Sequence, residues 1–555
     1  MKRFESPMLV TLLCGLCFLS GLDAPAAYAD FTFGEPVNLG PVVNSPYAEA
    51  AALLSPDGLE LYFQSDRPDG YEGADIWVVK RKNAEEDWGA PANLGPEINL
   101  GTWAQAGTIS TDGLTLYFAS DRLGGDVDLY RAARTTKDDP WGTPISLGPV
   151  VNSLAYDDLP VVSADGLELF FMSDRAGGSG DVDIWVATRA TEGEAWGKPE
   201  NLGPTVNTAA ADIVTHISPD GLRLLVLSGR PGGFGHWDTY MATRSSKGAA
   251  WALPVNLGPS FNTAYSDEGT SMSCDGLFLY FDDYGYQRPG GCGGSDLWRV
   301  PILPIVDFNG DEIVDTDDLV TLIEHWGQYD PLCDMGPMPW GDGKVDEKDL
   351  KVLMSYWGQE VHDSTLIAHW KLDEASGMIA ADSAGTNNGT LVGNPTWQPT
   401  GGKVGGALTF DGTNDFGLVN LALNPPGKPF SVLAWVKGGA PGEVVIAEQN
   451  GRNWLFANSA DGCLSTALNS PGQPATALGS QAAITDGQWH RIGVVWDGTN
   501  RILCVDDEEV ARDALSTLDI PSAKLVIGCG ATFAPATFWS SLIDDIRIYN
   551  REVKP

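Results

Sequence analysis

The sequence predicts a mainly β protein in three parts: a five-bladed β-propeller, a small α-helical module with two acidic loops, and a C-terminal β-sandwich. Three observations lead to this prediction. A unit of roughly 53–55 residues occurs five times before residue 303. Two Asp-rich loops, each followed by helical periodicity, occupy residues 304–361. Short alternating strands separated by Gly, Asn and Asp turns fill residues 366–555.

The composition excludes several classes of protein. The chain has 555 residues, with 34 Lys+Arg against 74 Asp+Glu and a formal net charge of −40. A chain of this length usually forms several domains. The acidity argues against nucleic-acid binding and against docking on anionic membranes, since both need clustered basic side chains. With 19% charged and 43% hydrophobic residues, the chain is not disordered as a whole.

Residues 1–29 have the pattern of a secretory signal peptide. Lys2 and Arg3 precede an apolar run at residues 8–19, and residues 27–29 form an Ala-x-Ala cleavage site. The alternative, an N-terminal membrane anchor, needs a longer apolar run. No later stretch is long and apolar enough to span a bilayer. We therefore expect a secreted protein, extracellular, at the cell surface or periplasmic, with no integral membrane span.

Six cysteines follow the predicted cleavage site, and in an exported protein some should form disulfides. Cys274 and Cys292 flank one predicted hairpin and are the candidate pair. The sequence leaves open whether the other four cysteines pair.

The repeated unit accounts for residues 30–303. Each copy begins with a Leu-Gly-Pro motif and has Ser-x-Asp-Gly at its centre, where Asp-Gly suits a turn with positive φ. One four-stranded sheet cannot bury both of its faces, so the copies should stack radially as propeller blades. The fifth copy ends after Trp298 without the closing Trp-Gly-x-Pro motif, and residues 33–36 supply a similar one. We predict that the N-terminal strand completes the last blade and closes the ring.

Three motifs recur in the blades: Ser-Pro-Asp-Gly at residues 55–58, Ser-Asp-Arg at 65–67 and Asp-Ile-Trp at 75–77 in the first copy. These motifs resemble those of TolB-type, PD-repeat β-propellers. The resemblance implies the fold and says little about activity.

Acidic residues recur at the start of each predicted innermost strand, which faces the central channel. They are Glu49, Asp157, Asp212 and Asp267, with Ala104 in the second blade. Three interpretations are open: a cation site, a solvated acidic rim inherited from the repeat, or catalytic acids like those of five-bladed family 43 glycoside hydrolases. Hydrolysis needs two of these carboxylates roughly 5–9.5 Å apart in a sugar-sized pocket.

The first acidic loop has the ligand spacing of a calcium site. The oxygen donors at loop positions 1, 3, 5, 9 and 12 are Asp307, Asn309, Asp311, Asp315 and Asp318, and Ile313 can supply a backbone carbonyl at position 7. The second loop repeats part of this pattern with Asp342, Asp346 and Asp349. Met338 and Trp340 stand where it needs oxygens, and Asp334 is a possible substitute. The sequence leaves occupation of the second loop open.

The two loop-helix halves resemble a type I dockerin, an EF-hand-like pair whose loops end in Asp, as they do at Asp318 and Asp349. The resemblance implies Ca²⁺ as the cofactor and a cohesin-like scaffold as a partner. The alternative is a purely structural calcium module whose helices cap the neighbouring domains.

Motifs at residues 368–374, 407–412, 487–490 and 543–551 resemble those of laminin G-like, concanavalin A-like jelly rolls. The resemblance implies a glycan or protein ligand and a structural Ca²⁺, for which Asp382, Asp411 and Asp544 are the candidates. The alternative is that these acids form turns and salt bridges. Trp435, Trp454 and Trp496 either stack on sugar or belong to the core.

We expect an exported, non-catalytic protein that binds glycans or proteins and is tethered through the dockerin-like module. The alternative is a secreted carbohydrate-active enzyme, a glycoside hydrolase acting in polysaccharide degradation, with its site at the channel rim. The two hypotheses differ in whether the rim carboxylates are accessible.

Overall fold

The computed structural model describes residues 31–553 apart from short segments. The segments outside the description are residues 72, 85, 259–260, 274, 284–287, 329, 331, 339–340, 342, 362, 364, 386, 421–428, 470–475, 516–517 and 519–523. The predicted signal peptide, Cys274 and Asp342 therefore lie outside the described residues. The described part is mainly β, as predicted. None of its helices has the length and hydropathy that crossing a membrane requires.

The N-terminal part forms a propeller of five antiparallel blades. The chain starts with two short strands, β1 (Phe31–Phe33) and β2 (Val37–Asn38). Four blades follow, made of β3 (Glu49–Leu54), β4 (Glu60–Ser65), β5 (Asp75–Lys80) and β6 (Ala92–Asn93); β7 (Ala104–Ile109), β8 (Thr115–Ser120), β9 (Asp128–Ala133) and β10 (Ile145–Ser146); β11 (Asp157–Val162), β12 (Glu168–Ser173), β13 (Asp183–Thr188) and β14 (Glu200–Asn201); and β15 (Asp212–Ile217), β16 (Arg223–Ser228), β17 (Asp238–Thr243) and β18 (Val255–Asn256). The fifth blade contains β19 (Glu268–Met272), β20 (Phe278–Asp282) and β21 (Leu297–Pro304).

The N-terminal strands close the ring, which confirms the prediction from the motif count. β2 pairs with β21 through Val37–Arg299 and Asn38–Trp298, and so takes the place that β6 has in the first blade. β1 pairs with the far end of the same strand, at residues 302–304. The first strands of neighbouring blades contact one another, and β19 contacts β3.

A repeated asparagine ties each blade to the one before it. Asn99 Oδ1 accepts a hydrogen bond from Ile76 N (2.9 Å), and Asn99 Nδ2 donates to Ile76 O (3.0 Å). Asn44 makes the same pair of bonds with Leu297, at 2.8 and 3.0 Å, across the point of closure. The equivalent residues in the other blades are Asn152, Asn207 and Asn262. The side-chain amide therefore gives the buried backbone N–H of the neighbouring blade its partner and adds a second donor to the carbonyl of the same residue.

The middle part is a pair of loop-helix halves with approximate two-fold symmetry. Its helices are α1 (Thr316–Glu324) and α2 (Glu347–Ser355), each opened by an aspartate capping box. Gly327 N donates to Val345 O (2.9 Å), and Gly358 N donates to Val314 O (2.8 Å). The end of each helix thus pairs with the loop of the opposite half.

Two antiparallel sheets form the C-terminal sandwich. The first contains β22 (Leu366–Trp370), β25 (Thr396–Gln398), β26 (Ala407–Thr409), β28 (Phe430–Gly438), β33 (Trp489–Trp496), β34 (Asn500–Val505), β35 (Glu508–Ala514) and β37 (Ser541–Tyr549). The second contains β23 (Ile379–Ala380), β24 (Gly389–Val392), β27 (Phe416–Val419), β29 (Val444–Glu448), β30 (Asn453–Ala457), β31 (Cys463–Thr466), β32 (Leu478–Ala483) and β36 (Leu525–Ile527). Trp454 and Trp496 are buried in the core between the sheets.

The sandwich holds the backbone of the first acidic loop. Arg547 Nη1 and the Tyr549 hydroxyl both donate to Gly310 O, at 2.7 and 2.8 Å. Arg551 Nη2 donates to Asp307 O (2.6 Å) and pairs with Asp363 (2.7 Å). All three donors come from β37 or the residues that follow it, so this strand fixes the module against the sandwich.

We expect Asn44→Ala to destabilise the propeller, because the buried N–H of Leu297 loses its partner and Leu297 O keeps only the hydrogen bond from Leu39 N. The free energy of unfolding should decrease by about 1–3 kcal/mol, measured from the propeller transition in scanning calorimetry. The exposed Asn394 is the control, and its replacement by Ala should change stability by less than about 0.5 kcal/mol. An unchanged transition in Asn44→Ala would show that the closure does not need this side chain.

Candidate functional site

The four acids predicted at the channel rim are completely buried, and each is paired with an arginine of its own blade. Three of these ion pairs measure 2.9, 2.5 and 2.6 Å, and the fourth joins Asp267 to Arg288. The first three are Glu49–Arg67, Asp157–Arg175 and Asp212–Arg230. The expectation of an open or solvated rim is therefore wrong, because these carboxylates point into the blade.

Each ion pair also organises the loop before its strand. Asp157 Oδ2 accepts from Ser153 N (2.7 Å), while Arg175 Nη2 donates to Val151 O (2.7 Å). In the second blade Ala104 replaces the acid, and Arg122 still donates to Ile98 O (2.6 Å). The acids therefore stabilise the repeat and are not available as catalytic groups.

The next position on the innermost strands carries the carboxyls with raised pKa values. Burial raises the pKa of Asp158 to about 6, and the Tyr156 hydroxyl donates to its Oδ2 (2.7 Å). Burial, with a smaller effect of the neighbouring Asp267 charge, raises the pKa of Glu268. A carboxyl whose pKa approaches neutrality suits a general acid.

The first acidic loop is closed by its own side chains. Both Asp307 oxygens accept from backbone N–H groups, those of Gly310 (2.7 Å) and Glu312 (3.0 Å). Asp318 accepts from Phe308 N (2.7 Å) and Asp315 N (2.9 Å). The loop lies wholly within the described residues, and no three of its carboxylates place oxygens within 4.8 Å of one another. Binding of Ca²⁺ there requires these side chains to turn inward.

The electrostatics of this loop fit a cation. Burial, with the charges of Asp307 and Asp311 as smaller causes, raises the pKa of Asp318 to about 7. Burial is also the main cause of the raised pKa of Asp307. A divalent cation among these oxygens would offset both effects. The residues that would hold it are Asp307, Asn309, Asp311, Asp315, Asp318 and the Ile313 carbonyl.

In the second loop Asp334 has the role that Asp307 has in the first. Asp334 is buried, and its Oδ2 accepts from Gly343 N (2.7 Å), as Asp307 Oδ2 accepts from Glu312 N. Asp349 repeats Asp318, because it accepts from Gly336 N (2.7 Å) and Asp346 N (2.6 Å). Asp346 caps α2. The second loop is longer than the first, and Asp334 closes it in the way that Asp307, at loop position 1, closes the first.

The three candidate acids of the sandwich stand on separate segments, and Asp544 lies on β37. Asp382 accepts from His369 N (2.9 Å) and Asn387 N (2.9 Å). The exposed Asp411 forms a turn with Thr413 N (2.8 Å). Asp544 binds the 402–406 loop through its Oδ2, and its buried Oδ1 has no hydrogen-bond partner. These three acids form no common cluster in the part of the chain that the structure describes.

The outer face of the first sheet presents two tryptophans. Trp435 lies on β28 between core residues and points away from the core, half-buried. The register places Arg491 opposite Trp435, and Trp489 opposite Lys437, on the same face. Lys403 Nζ lies 4.8 Å from the Trp435 ring centroid. We call these five residues the Trp435 face. Of the three tryptophans considered from the sequence, only Trp435 lies on this face, and Trp489 was missed because only the strand register places it beside Trp435.

Residues 410–555 match the family profile of the concanavalin A-like lectin/glucanases superfamily. The C-terminal sandwich is a concanavalin A-like/laminin G domain. No curated protein matches the chain. Three similar solved structures span different parts of it.

The structure of Trypanosoma rangeli sialidase with the inhibitor DANA shares 13% identity over 92% of both chains, with a TM-score of 0.42. Domain 4 of AbnA, a GH43 extracellular arabinanase from Geobacillus stearothermophilus, shares 19% identity over 34% of this chain and 93% of that one, with a TM-score of 0.28. TolB from Acinetobacter baumannii shares 14% identity over 47% of this chain and 56% of that one, with a TM-score of 0.31. Because these TM-scores are below 0.5, the fold is assigned from the strand order of the sheets and not from these similarities.

We expect Asp157→Asn and Asp212→Asn to lower the free energy of unfolding of the propeller by about 3–5 kcal/mol each, because each leaves a buried arginine without its counter-charge. Calorimetry of the full chain measures the effect. The exposed Asp126, in the second blade, provides a control, and Asp126→Asn should leave the transition in place. Wild-type stability in Asp157→Asn would contradict the structural role.

We expect isothermal titration calorimetry to detect Ca²⁺ binding to the first loop, and Asp307→Ala or Asp318→Ala to abolish it. Because the ligand is the carboxylate form of Asp318, the affinity should increase as the pH rises through about 7. Asp317→Asn, one residue before Asp318 and exposed, should bind as the wild type does. Equal heats for the wild type and Asp307→Ala would refute this site.

Proposed function

We propose that this chain is an exported, non-catalytic protein that binds glycans through the Trp435 face and is tethered through a calcium-dependent, dockerin-like module. The pair of half-buried tryptophans on the outer face of the concanavalin A-like domain carries this proposal. Export rests on the signal-peptide pattern of residues 1–29.

The Trp435 face has the chemistry of a sugar site. Trp435 and Trp489 lie on adjacent strands, offset by two residues, so their rings are within reach of one ligand. Indole rings supply rigid apolar surface for the faces of sugar rings, while Lys403 and Lys437 supply donors for hydroxyl or carboxylate groups. Arg491 is already paired with Asp507 and donates to Asn309 O of the module. The alternative occupant of this face is a protein.

The module carries an exposed apolar surface on both helices. The side chains of Trp326 and Trp357 are 43% and 38% exposed, and Ile323 and Met354 are exposed beside them. The two pairs occupy equivalent positions in the two halves. The exposure of four large apolar side chains at the ends of the two helices is typical of a protein interface. It favours the docking of a cohesin-like scaffold over the alternative in which the helices cap neighbouring domains of this chain.

A binding screen with two double variants tests both parts of the proposal. Trp435→Ala/Trp489→Ala should weaken glycan binding on an array at least tenfold, about 1.4 kcal/mol, and leave docking to a panel of cohesin domains unchanged. Trp326→Ala/Trp357→Ala should weaken docking to the cohesin domains and leave glycan binding unchanged. Each variant is therefore the matched control of the other. A wild-type chain that binds no glycan would overturn the first part, and one that docks to no cohesin domain would overturn the second.

The second candidate function is glycoside hydrolysis in the propeller. The raised pKa values of Asp158 and Glu268 on the innermost strands favour it. Glycans retained by the wild type in the screen above would then be shortened over time, and Asp158→Asn would prevent this. Intact glycans support the non-catalytic proposal.

A further inference from the structure

A cluster of nitrogen, oxygen and sulfur donors lies at the end of α1, outside the acidic loops. His325 is the C-cap of the helix, and Asp330 and Cys333 stand in the segment that follows. One donor atom from each residue lies within 4.8 Å of the other two. Among the described residues, no other three His, Cys, Asp or Glu side chains meet this condition.

The imidazole of His325 is oriented by the helix itself. Its Nδ1 lies 2.8 Å from Thr321 O, and since a carbonyl only accepts, Nδ1 carries the hydrogen and donates. In the neutral imidazole Nε2 then carries the lone pair, and it lies on the side of Asp330. Histidines that bind metals are usually oriented in this way, with the other ring nitrogen donating to a carbonyl or a carboxylate.

The separation of His325 from Asp330 differs from that of the direct pairs in this chain. His325 Nε2 lies 3.5 Å from Asp330 Oδ2. The direct histidine–carboxylate hydrogen bonds at His369 and His490 measure 2.7 to 3.0 Å. A separation of 3.5 Å is what a nitrogen and an oxygen donor have when they bind one tetrahedral metal ion, about 3.3–3.6 Å for bonds of about 2.0–2.2 Å.

Asp330 positions the thiol of Cys333 in this cluster. Its Oδ1 accepts from Leu332 N (3.1 Å) and Cys333 N (3.0 Å), so the chain turns around the carboxylate and places Cys333 beside it. The Cys333 side chain is buried. All three donors are therefore positioned by hydrogen bonds to the backbone or by burial.

We infer that His325, Asp330 and Cys333 bind a zinc ion or a similar divalent transition metal. Imidazole nitrogen and thiolate sulfur are ligands that Zn²⁺ prefers, whereas Ca²⁺ takes oxygen ligands. Three protein ligands leave a fourth position for water. On binding, the thiol of Cys333 loses its proton to solvent and the thiolate coordinates the metal.

The metal would stabilise the second half of the module. It joins the end of α1 to the segment that enters the second acidic loop, directly before Asp334. Asp334, the next residue, closes that loop by accepting a hydrogen bond from Gly343 N. A metal ion that fixes Cys333 would therefore restrict the conformations of the loop in the unfolded and partly folded chain. Zn²⁺ should therefore raise the melting temperature of the module.

Titration of the full chain with Co²⁺, then Zn²⁺, in excess Ca²⁺ tests the inference. The wild type should show thiolate-to-cobalt charge-transfer absorption, and one equivalent of Zn²⁺ should remove it. Cys333→Ser should lose this absorption, and His325→Gln should weaken binding at least tenfold. The exposed Cys292, replaced by Ser, and His490, replaced by Gln, are the controls and should bind as the wild type does.

Three results would overturn the inference: no thiolate absorption in the wild type, its retention in Cys333→Ser, or its loss in Cys292→Ser. Circular dichroism without metal checks that the variants fold. If Cys333→Ser does not fold, Asp330→Asn decides, because its side-chain oxygen still accepts from the backbone of Leu332 and Cys333. An unchanged metal affinity in Asp330→Asn would then refute the site.

Discussion

The pairing of β21 with strands from the opposite end of the propeller is the constraint on which the rest of the structure depends. This strand pairs with β20, completes the fifth blade with β2, and continues far enough to pair with β1. Two residues separate its end from Asp307, where the first acidic loop begins and Arg551 holds the backbone. Ring closure thus sets where the chain leaves the propeller, and that exit sets where the module meets the sandwich.

The large excess of acidic side chains serves different physical purposes in the three parts. In the propeller the buried carboxylates are matched by arginines, so that loss of one partner would leave the charge of the other uncompensated. In the module, buried carboxylates are satisfied by backbone N–H groups, and burial, with the charges of Asp307 and Asp311 as smaller causes, raises the pKa of Asp318. Only the second arrangement gains from a bound cation. The net charge by itself does not distinguish these two cases.

Residue patterns predicted the strands from local periodicity, and they predicted the closure of the propeller ring from the number of repeated motifs. They did not predict that Glu49 is buried, since its partner Arg67 reaches it only in the folded blade. In the fifth blade the partner of Asp267 is Arg288, which lies outside the Ser-Asp-Arg motif. Asp334 was a possible substitute in the second loop, and only the folded loop shows that it accepts from Gly343 N. The juxtaposition of Trp489 with Trp435 likewise depends on strand register, which a single sequence does not specify.

The contacts of β37 with the first acidic loop also determine how force would cross the molecule. A pull between a scaffold on α1 and α2 and a glycan on the Trp435 face would pass through the hydrogen bonds at Gly310 and Asp307. The propeller lies outside this path: it joins the module through the chain after β21 and through Met338, which packs against the core of the fifth blade. Tension would therefore load the joint between module and sandwich, where the arginine and tyrosine contacts act beside the covalent segment that links α2 to β22.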